Sequence, residues 1–346
     1  MSELRLDALS GDWVLVGCNP SLKVQDLCRS GSLPLRPDFL NSCPFCPGNE
    51  DLTPSELYAL WDQRQNQWEI RVVPDKVPVL TRAGVKEPIH HQLHRRVSGV
   101  GRHDVIVETP DHALSLHAFE NAHLGELLRV YHACLGILSS DAHIEHVSIF
   151  RNHGPRSGSV NEHPHSQIVG MPVTPSHISR LLAEAAGYFN RSGQCLFCAS
   201  LEQELEEEAR IVAQSRNFVA LEPFASFCPV LTHIYPRRHM ASFGAITKQE
   251  LDDLPLLLKQ VLARLYFGFN DADYSLRICT APKGHDEVHY FHWYIEIVPY
   301  LSPTTSFEHG SKVFLNPILP EDAAAFLRGI TVEERQGEER ATCQPI

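Results

Sequence analysis

The chain carries one string of metal-ligating residue types twice. Cys43 and Cys46 form a C-x-x-C pair, followed by His112 after a predicted strand and then by His163. Cys195 and Cys198 form a second pair, followed by His239 after a predicted strand and then by His292. Both pairs enclose a phenylalanine, in Cys43-Pro-Phe-Cys46 and Cys195-Leu-Phe-Cys198. The two histidines of the sets lie 51 and 53 residues apart. Each set offers two sulfurs and two imidazoles, a donor set suited to a tetrahedral Zn²⁺ with no open position. One such pair alone is a weak signal, because C-x-x-C also serves redox chemistry. Two matched sets point to a duplicated fold with two structural metal sites. The expected division is an N-terminal repeat over 1–175, a C-terminal repeat over 176–330 and a disordered polar tail over 331–346.

The halves differ in one place that matters. Two residues beyond His163 stands His165, whereas two residues beyond His292 stands Tyr294. The first half reads Asn161-Glu-His163-Pro-His165-Ser-Gln167-Ile168. In an extended segment residues two apart share a face, so His163, His165 and Gln167 are expected to point one way and Ile168 the other. Pro164 cannot donate a ladder hydrogen bond, which predicts an edge strand or the start of a strand. Such polar groups are costly to bury for packing alone. His163 and His292 read as ligands, and His165 is left over. One live site in a duplicated fold is the simplest account, with the C-terminal repeat degenerate.

The 346 residues are 43% hydrophobic, enough for a sizeable core. A net charge of −12 argues against nucleic acid or an anionic membrane as partner, though not against one basic pocket for a phosphorylated small molecule. No run of about 18 apolar residues appears, so no membrane span is expected. The Met1–Arg5 start lacks an apolar signal region, which predicts a reducing, cytoplasmic setting. There the six isolated cysteines (18, 28, 134, 228, 279 and 343) are expected to be ordinary thiols, Cys228 and Cys279 in the core.

Alternation and helical spacing predict a hairpin over 4–17, a loop over 19–42 and strands over 68–73, 101–108, 147–152, 217–223, 230–236, 274–280 and 289–299. Helices are predicted over 120–138, 176–190, 248–267 and 321–328, and a solvated acidic helical face over 202–210. The polar stretch 81–100 is expected to be a loop. His90, His91, His94 and His103 read as loop histidines, and Trp61 and Trp68 as packing residues. Short strands with a few helices between them give an α+β class with a largely antiparallel sheet.

At this point the residues resemble a known family. His163-Pro-His165-Ser-Gln167 is similar to the His-x-His-x-Gln signature of the galactose-1-phosphate uridylyltransferase family, within the histidine-triad superfamily. Glu108-Thr-Pro-Asp-His112, Phe150-Arg-Asn152, Phe291-His-Trp293, Phe307-Glu-His-Gly310 and Asn316-Pro317 also match, so the likeness spans about 8–328. The two-zinc layout and Ser166 are similar to the plant ADP-glucose phosphorylase branch. The resemblance implies two histidine-triad-like repeats in one continuous sheet flanked by helices, and a homodimer. It implies ping-pong transfer: His165 attacks the α-phosphorus of a nucleotide sugar, and the nucleotidyl-His165 intermediate passes to a second phosphate. Gln167 would donate to a non-bridging phosphoryl oxygen. Asn152 and the backbone of Gly158, Ser159, Val160 and Asn161 would hold the phosphates. Asp75, Phe307, Glu308 and Gly310 would lie near the nucleotide or sugar, the last three from the partner subunit of a dimer. His153 and His289 are further candidates for phosphate contact.

UDP-glucose:hexose-1-phosphate uridylyl transfer comes first among the implied activities, with galactose 1-phosphate the acceptor. ADP-glucose phosphorolysis, with inorganic phosphate as acceptor, is the alternative, and a catalytically inactive zinc-stabilised binding protein is a third reading. Hydrolysis is disfavoured, because related hydrolases carry a third histidine where Gln167 stands. Three departures bear on nucleotide and sugar preference. Asp75 replaces the family's usual Asn, Pro20-Ser-Leu-Lys23 offers only Lys23 where phosphate-contacting arginines are expected, and Ser302–Ser306 replaces a glycine-rich run.

Overall fold

The computed structural model describes residues 2–29, 36–64 and 66–332. The expected tail lies outside them from residue 333 on, as does Cys343. In chain order the strands of the first half are β1 (Glu3–Leu6), β2 (Trp13–Val16), β3 (Tyr58–Asp62), β4 (Gln67–Pro74), β5 (Pro88–His91), β6 (His94–Val97), β7 (Arg102–Val107), β8 (His146–His153) and β9 (His165–Met171). Helix α1 (Asn121–Ser139) lies between β7 and β8. The second half runs α2 (Ser176–Ser192), α3 (Leu196–Glu207), β10 (Ile211–Gln214), β11 (Phe218–Leu221), β12 (Thr232–Pro236), α4 (Lys248–Phe269), β13 (Tyr274–Cys279), β14 (Tyr294–Pro299), α5 (Ser306–Ser311), β15 (Phe314–Asn316) and α6 (Pro320–Arg328).

Ten strands form one sheet in the order β10-β11-β12-β14-β13-β8-β9-β7-β4-β3, and every neighbouring pair is antiparallel. The order is the same read outward from the centre: β8-β9-β7-β4-β3 on one side and β13-β14-β12-β11-β10 on the other. The halves join where β8 pairs with β13, for example Ile149 with Ile278 and Phe150 with Arg277. The α+β class and the duplication are therefore both visible in the sheet.

Side-chain alternation gives the sheet two faces. One face carries Ile149, Ile168, Ile106, Ile278, Ile295 and Ile234, and packs against Leu124, Leu127 and Leu128 of α1 and Leu254, Leu258 and Val261 of α4. This burial supplies most of the apolar core. α4 starts where Thr247 and Glu250 close a reciprocal capping box. The other face carries His165 and Gln167 in the first half and Tyr294 and Glu296 in the second.

Several local expectations change. β9 is an interior strand, with β8 and β7 on its two sides, and Pro164 sits just before it. Its missing N–H therefore costs no ladder bond. β14 begins at Tyr294, so His292 precedes its strand as His163 precedes β9. Neither ligand is borne on a strand. Within 81–100 a small β5–β6 hairpin forms instead of a loop. His103 is not a loop histidine but lies buried on β7, and Trp61 is half exposed rather than packed. The acidic stretch at the end of α3 is not merely solvated, because Glu204 and Arg210 are both buried and bonded at 2.7 Å. β3, β10, β15 and α5 are too short to show a period in the sequence.

Candidate active site and metal centres

His165 opens β9, opposite Val107 of β7. Its Nδ1 lies 2.8 Å from the carbonyl oxygen of His163. A carbonyl only accepts, so Nδ1 carries the proton and Nε2 keeps its lone pair for another partner. Burial pushes the ring below the ordinary imidazole range, against the His163 carbonyl, which favours the protonated form. A neutral imidazole with a free, outward Nε2 is a competent nucleophile. Gln167, two residues on and on the same face, accepts at Oε1 from His103 Nε2 at 2.8 Å.

Beneath β9, on the helix side, Ser166 reaches Glu108 and Tyr131. The Glu108 carboxylate is fully buried and also takes Tyr131 O–H (3.0 Å) and Arg151 Nε–H (3.0 Å), while Arg151 donates to Tyr274 O–H at 3.1 Å. This network ties β9 to β7, β8, β13 and α1. Sequence analysis did not single it out; the signal was the pairing of Glu108 and Arg151 at positions otherwise expected to be apolar.

Beside His165 a cavity of about 220 Å³ is lined by Asn152, Ser159, Val160 and Asn161. Arg36 and Arg151 line it too, two cations the sequence did not mark. Arg36 is held by Asp271 at 2.7 Å, which also binds His153 Nε2 at 2.7 Å. Gly158 closes the preceding turn at φ +85°, which only glycine adopts without strain. Asn161 Oδ1 accepts His163 N–H at 3.0 Å. The remaining candidates lie outside this lining. Asp75 Oδ1 accepts Val77 N–H at 2.6 Å, and its other oxygen is 3.7 Å from His103 Nε2. Glu308 caps α5, taking Thr305 N–H (2.6 Å) and Leu315 N–H (3.1 Å). Phe307 is 54% exposed, and Gly310 faces open space.

Cys43, Cys46, His112 and His163 are all buried, with ligand atoms within 4.8 Å of one another. Cys46 Sγ lies 3.4 Å from His112 Nδ1 and 3.6 Å from His163 Nδ1, and the two Nδ1 atoms are 3.3 Å apart. His163 Nε2 donates to Thr109 O at 2.8 Å, which leaves Nδ1 bare. Burial lowers the His163 pKa to about 4, so the ring is neutral. Cys195, Cys198 and His239 form the second group within 4.8 Å. His292 Nδ1 is 3.5 Å from Cys198 Sγ, and its Nε2 donates to Pro236 O at 2.9 Å, as His163 does to Thr109. His289 sits by this second group, its ring 6.4 Å from that of His239. Both groups could hold a metal ion. Phe45, between the first pair of cysteines, packs 5.3 Å from the His165 ring and so links the first Cys/His group to His165.

In the second half Tyr294 stands at the His165 position and Glu296 at the Gln167 position. Glu296 is buried against Arg277 and His233, so this half places an ion pair where the first half has Gln167.

Comparison with known proteins bears on this geometry. Residues 1–175 match the N-terminal domain of galactose-1-phosphate uridyl transferase, and residues 182–331 match its C-terminal domain. ADP-glucose phosphorylase of Arabidopsis thaliana is 30% identical over 95% of this chain and 93% of its own length. Galactose-1-phosphate uridylyltransferase of Thermotoga maritima is 28% identical over 96% of this chain and 100% of its own. The structure of the Arabidopsis thaliana ADP-glucose phosphorylase with bound ADP-glucose superposes with a TM-score of 0.80 at 29% identity, covering 96% of this chain and 99% of that one. A uridylyltransferase structure gives 0.72 at 28% identity, covering 95% and 97%. With both domains matched and the sheet shared throughout, the chain is an enzyme of the nucleotidyltransferase type and belongs to the galactose-1-phosphate uridyl transferase family.

Proposed function

We propose that this protein moves a nucleotidyl group from a nucleotide sugar to a second phosphate through a covalent nucleotidyl-His165 intermediate. The observation that carries the reading is the His165 tautomer: Nδ1–H is committed to the His163 carbonyl, so Nε2 is the nucleophile. Nε2 attacks the α-phosphorus and the sugar 1-phosphate leaves; in the second half-reaction the acceptor phosphate displaces His165. Asn152 and the backbone of Gly158–Asn161 hold the phosphates, and Arg36 adds positive charge at the cavity wall. Gln167 donates to a non-bridging oxygen as charge develops, a contribution of about 10²–10³ in rate. Asp75 meets the nucleotide through the loop that follows β4. The exposed Phe307 and Gly310, on the helix that Glu308 caps, serve the nucleotide bound by a second copy in a homodimer.

The metals are two structural zinc ions. Zn–N bonds of about 2.0–2.1 Å and Zn–S bonds of about 2.3 Å around a tetrahedron require N···N near ~3.3 Å and S···N near ~3.5 Å. The separations of 3.3 Å and of 3.3–3.6 Å fit that requirement. Four protein ligands close the first site, while in the second Cys195, Cys198 and His239 gather within 4.8 Å and His292 approaches Cys198 Sγ at 3.5 Å; the ions hold the chain and leave His165 to do the chemistry. The repeats carrying them span 1–175 and 176–330.

Uridylyl transfer to hexose 1-phosphate and phosphorolysis of ADP-glucose are supported alike, at 28% and 30% identity to relatives of each kind. Intact-mass spectrometry of protein mixed separately with UDP-glucose and ADP-glucose assigns the base. The expected result is a gain of one UMP or one AMP that is absent in His165→Gln. No adduct with either sugar, in protein that carries metal, overturns the proposal.

A further inference from the structure

His103 meets Gln167 across the β7–β9 pair, and its surroundings decide which way the Gln167 amide faces. Val79 N–H donates to His103 Nδ1 at 3.3 Å. That nitrogen therefore holds the lone pair, and the proton sits on Nε2. Nε2 lies 2.8 Å from Gln167 Oε1 and 3.7 Å from Asp75 Oδ2. An N–H can meet only an acceptor, so Gln167 must offer its oxygen to His103. A flipped amide would set NH₂ against N–H. The Gln167 NH₂ is thus left on the side away from His103.

The ring is not free to turn. His103 is 7% exposed, and its own carbonyl accepts Asp75 N–H at 2.9 Å. The chain after β4 therefore grips His103 twice, at the backbone and at Nδ1. In the second half the imidazole comes from a different register position, His233 lying 3.3 Å from Glu296, and the His103 position is a leucine. Gln167 pairs with Val105, two residues after His103; the equivalent Glu296 pairs with His233, two residues after Leu231. Leucine can donate nothing to its neighbour.

We propose that His103 is a positioning residue for nucleotidyl transfer: its Nε2–H holds Gln167 Oε1 so that the Gln167 NH₂ is presented to the phosphoryl group under attack. This rests on the reading that His165 is the nucleophile and Gln167 faces the phosphate. A misplaced donor commonly costs up to about 100-fold in rate.

The test is single-turnover formation of the nucleotidyl adduct, by quench and intact mass, with UDP-glucose and with ADP-glucose. His103→Asn keeps an acceptor for Val79 N–H but cannot reach Gln167. It is expected to fold, to carry the wild-type metal content and to form adduct about 10- to 100-fold more slowly, with substrate affinity little changed. His103→Gln, whose amide nitrogen can take the place of Nε2, should recover most of the rate. The double variant His103→Asn/Gln167→Ala should be no slower than Gln167→Ala alone. Wild-type rates in His103→Asn, or losses that multiply in the double variant, overturn the inference while leaving the His165 mechanism intact. A wild-type protein that forms no adduct, or a Gln167→Ala variant at wild-type rate, overturns the parent reading and this one with it.

Discussion

Glu222 and Glu108 are both fully buried carboxylates with opposite circumstances. Among the described residues neither oxygen of Glu222 has a hydrogen-bond partner of normal geometry, and burial, outweighing the nearby Thr232 hydroxyl, pushes its pKa well above the ordinary carboxyl range. The folded protein therefore keeps Glu222 protonated at a pH where the unfolded chain releases that proton. Above the unfolded pKa near ~4.3 the fold loses up to about 1.4 kcal/mol per pH unit on this account. Glu222→Gln should raise the melting temperature, and the gain should be larger at pH 8 than at pH 5. An equal gain at both would refute the assignment. Glu108 is satisfied by Ser166, Tyr131 and Arg151. Arg151→Met strands its charge and should cost about 3–5 kcal/mol in denaturant unfolding. A loss under 1 kcal/mol would mean that the pair contributes little. Which of the two glutamates is satisfied is not written in the sequence around it, because the partners of Glu108 lie up to 58 positions away.

At the scale of elements, β7 and β9 meet in one close approach near the end of β9. Gly101, just before β7, has no room for a side chain, since a Cβ there would run into the carbonyl oxygen of Gly170 on β9. Gly101→Ala should destabilise the β7–β9 pair by about 1–3 kcal/mol, read as a lower melting temperature. An unshifted transition would show that the strands part at no cost. Pro164 and His292 teach a second lesson. Alternation read through both histidine segments extends the strands too far, because the ligands turn off the sheet toward their cysteines before the ladder starts. The gathering of the Cys/His groups overrides strand propensity there.

At the scale of the whole molecule, the two metal groups lie at equivalent places of a duplicated sheet but with different neighbours. The first touches His165 through Phe45, whereas the second meets Tyr294 through Phe197. Cys198→Ser should lower bound metal from two equivalents to one and reduce stability, yet leave adduct formation at His165 within several-fold of wild type. Cys46→Ser should lose the other equivalent and nearly all adduct formation. Metal analysis beside intact mass separates the two cases. Equal losses of adduct in both variants would show that the metals act on the fold as a whole.

The two Cys/His groups, the unmatched His165 and the duplication were legible in the sequence, because each rests on residue type at a fixed spacing and the spacing survives folding. Cys43-x-x-Cys46, His163-x-His165-x-Gln167 and the matched second set needed no contact information. The single ten-stranded sheet was reached only through resemblance. The inner place of β9, the burial of His103 and the approach of Arg36 to the cavity were decided by tertiary structure. His103 shows why: nothing near it in the sequence marks its partners, Gln167 being brought by the β7–β9 pairing and Val79 by the chain that follows β4. Sequence can name the groups that do chemistry. Which way a donor faces is settled by the hydrogen-bonding group packed behind it.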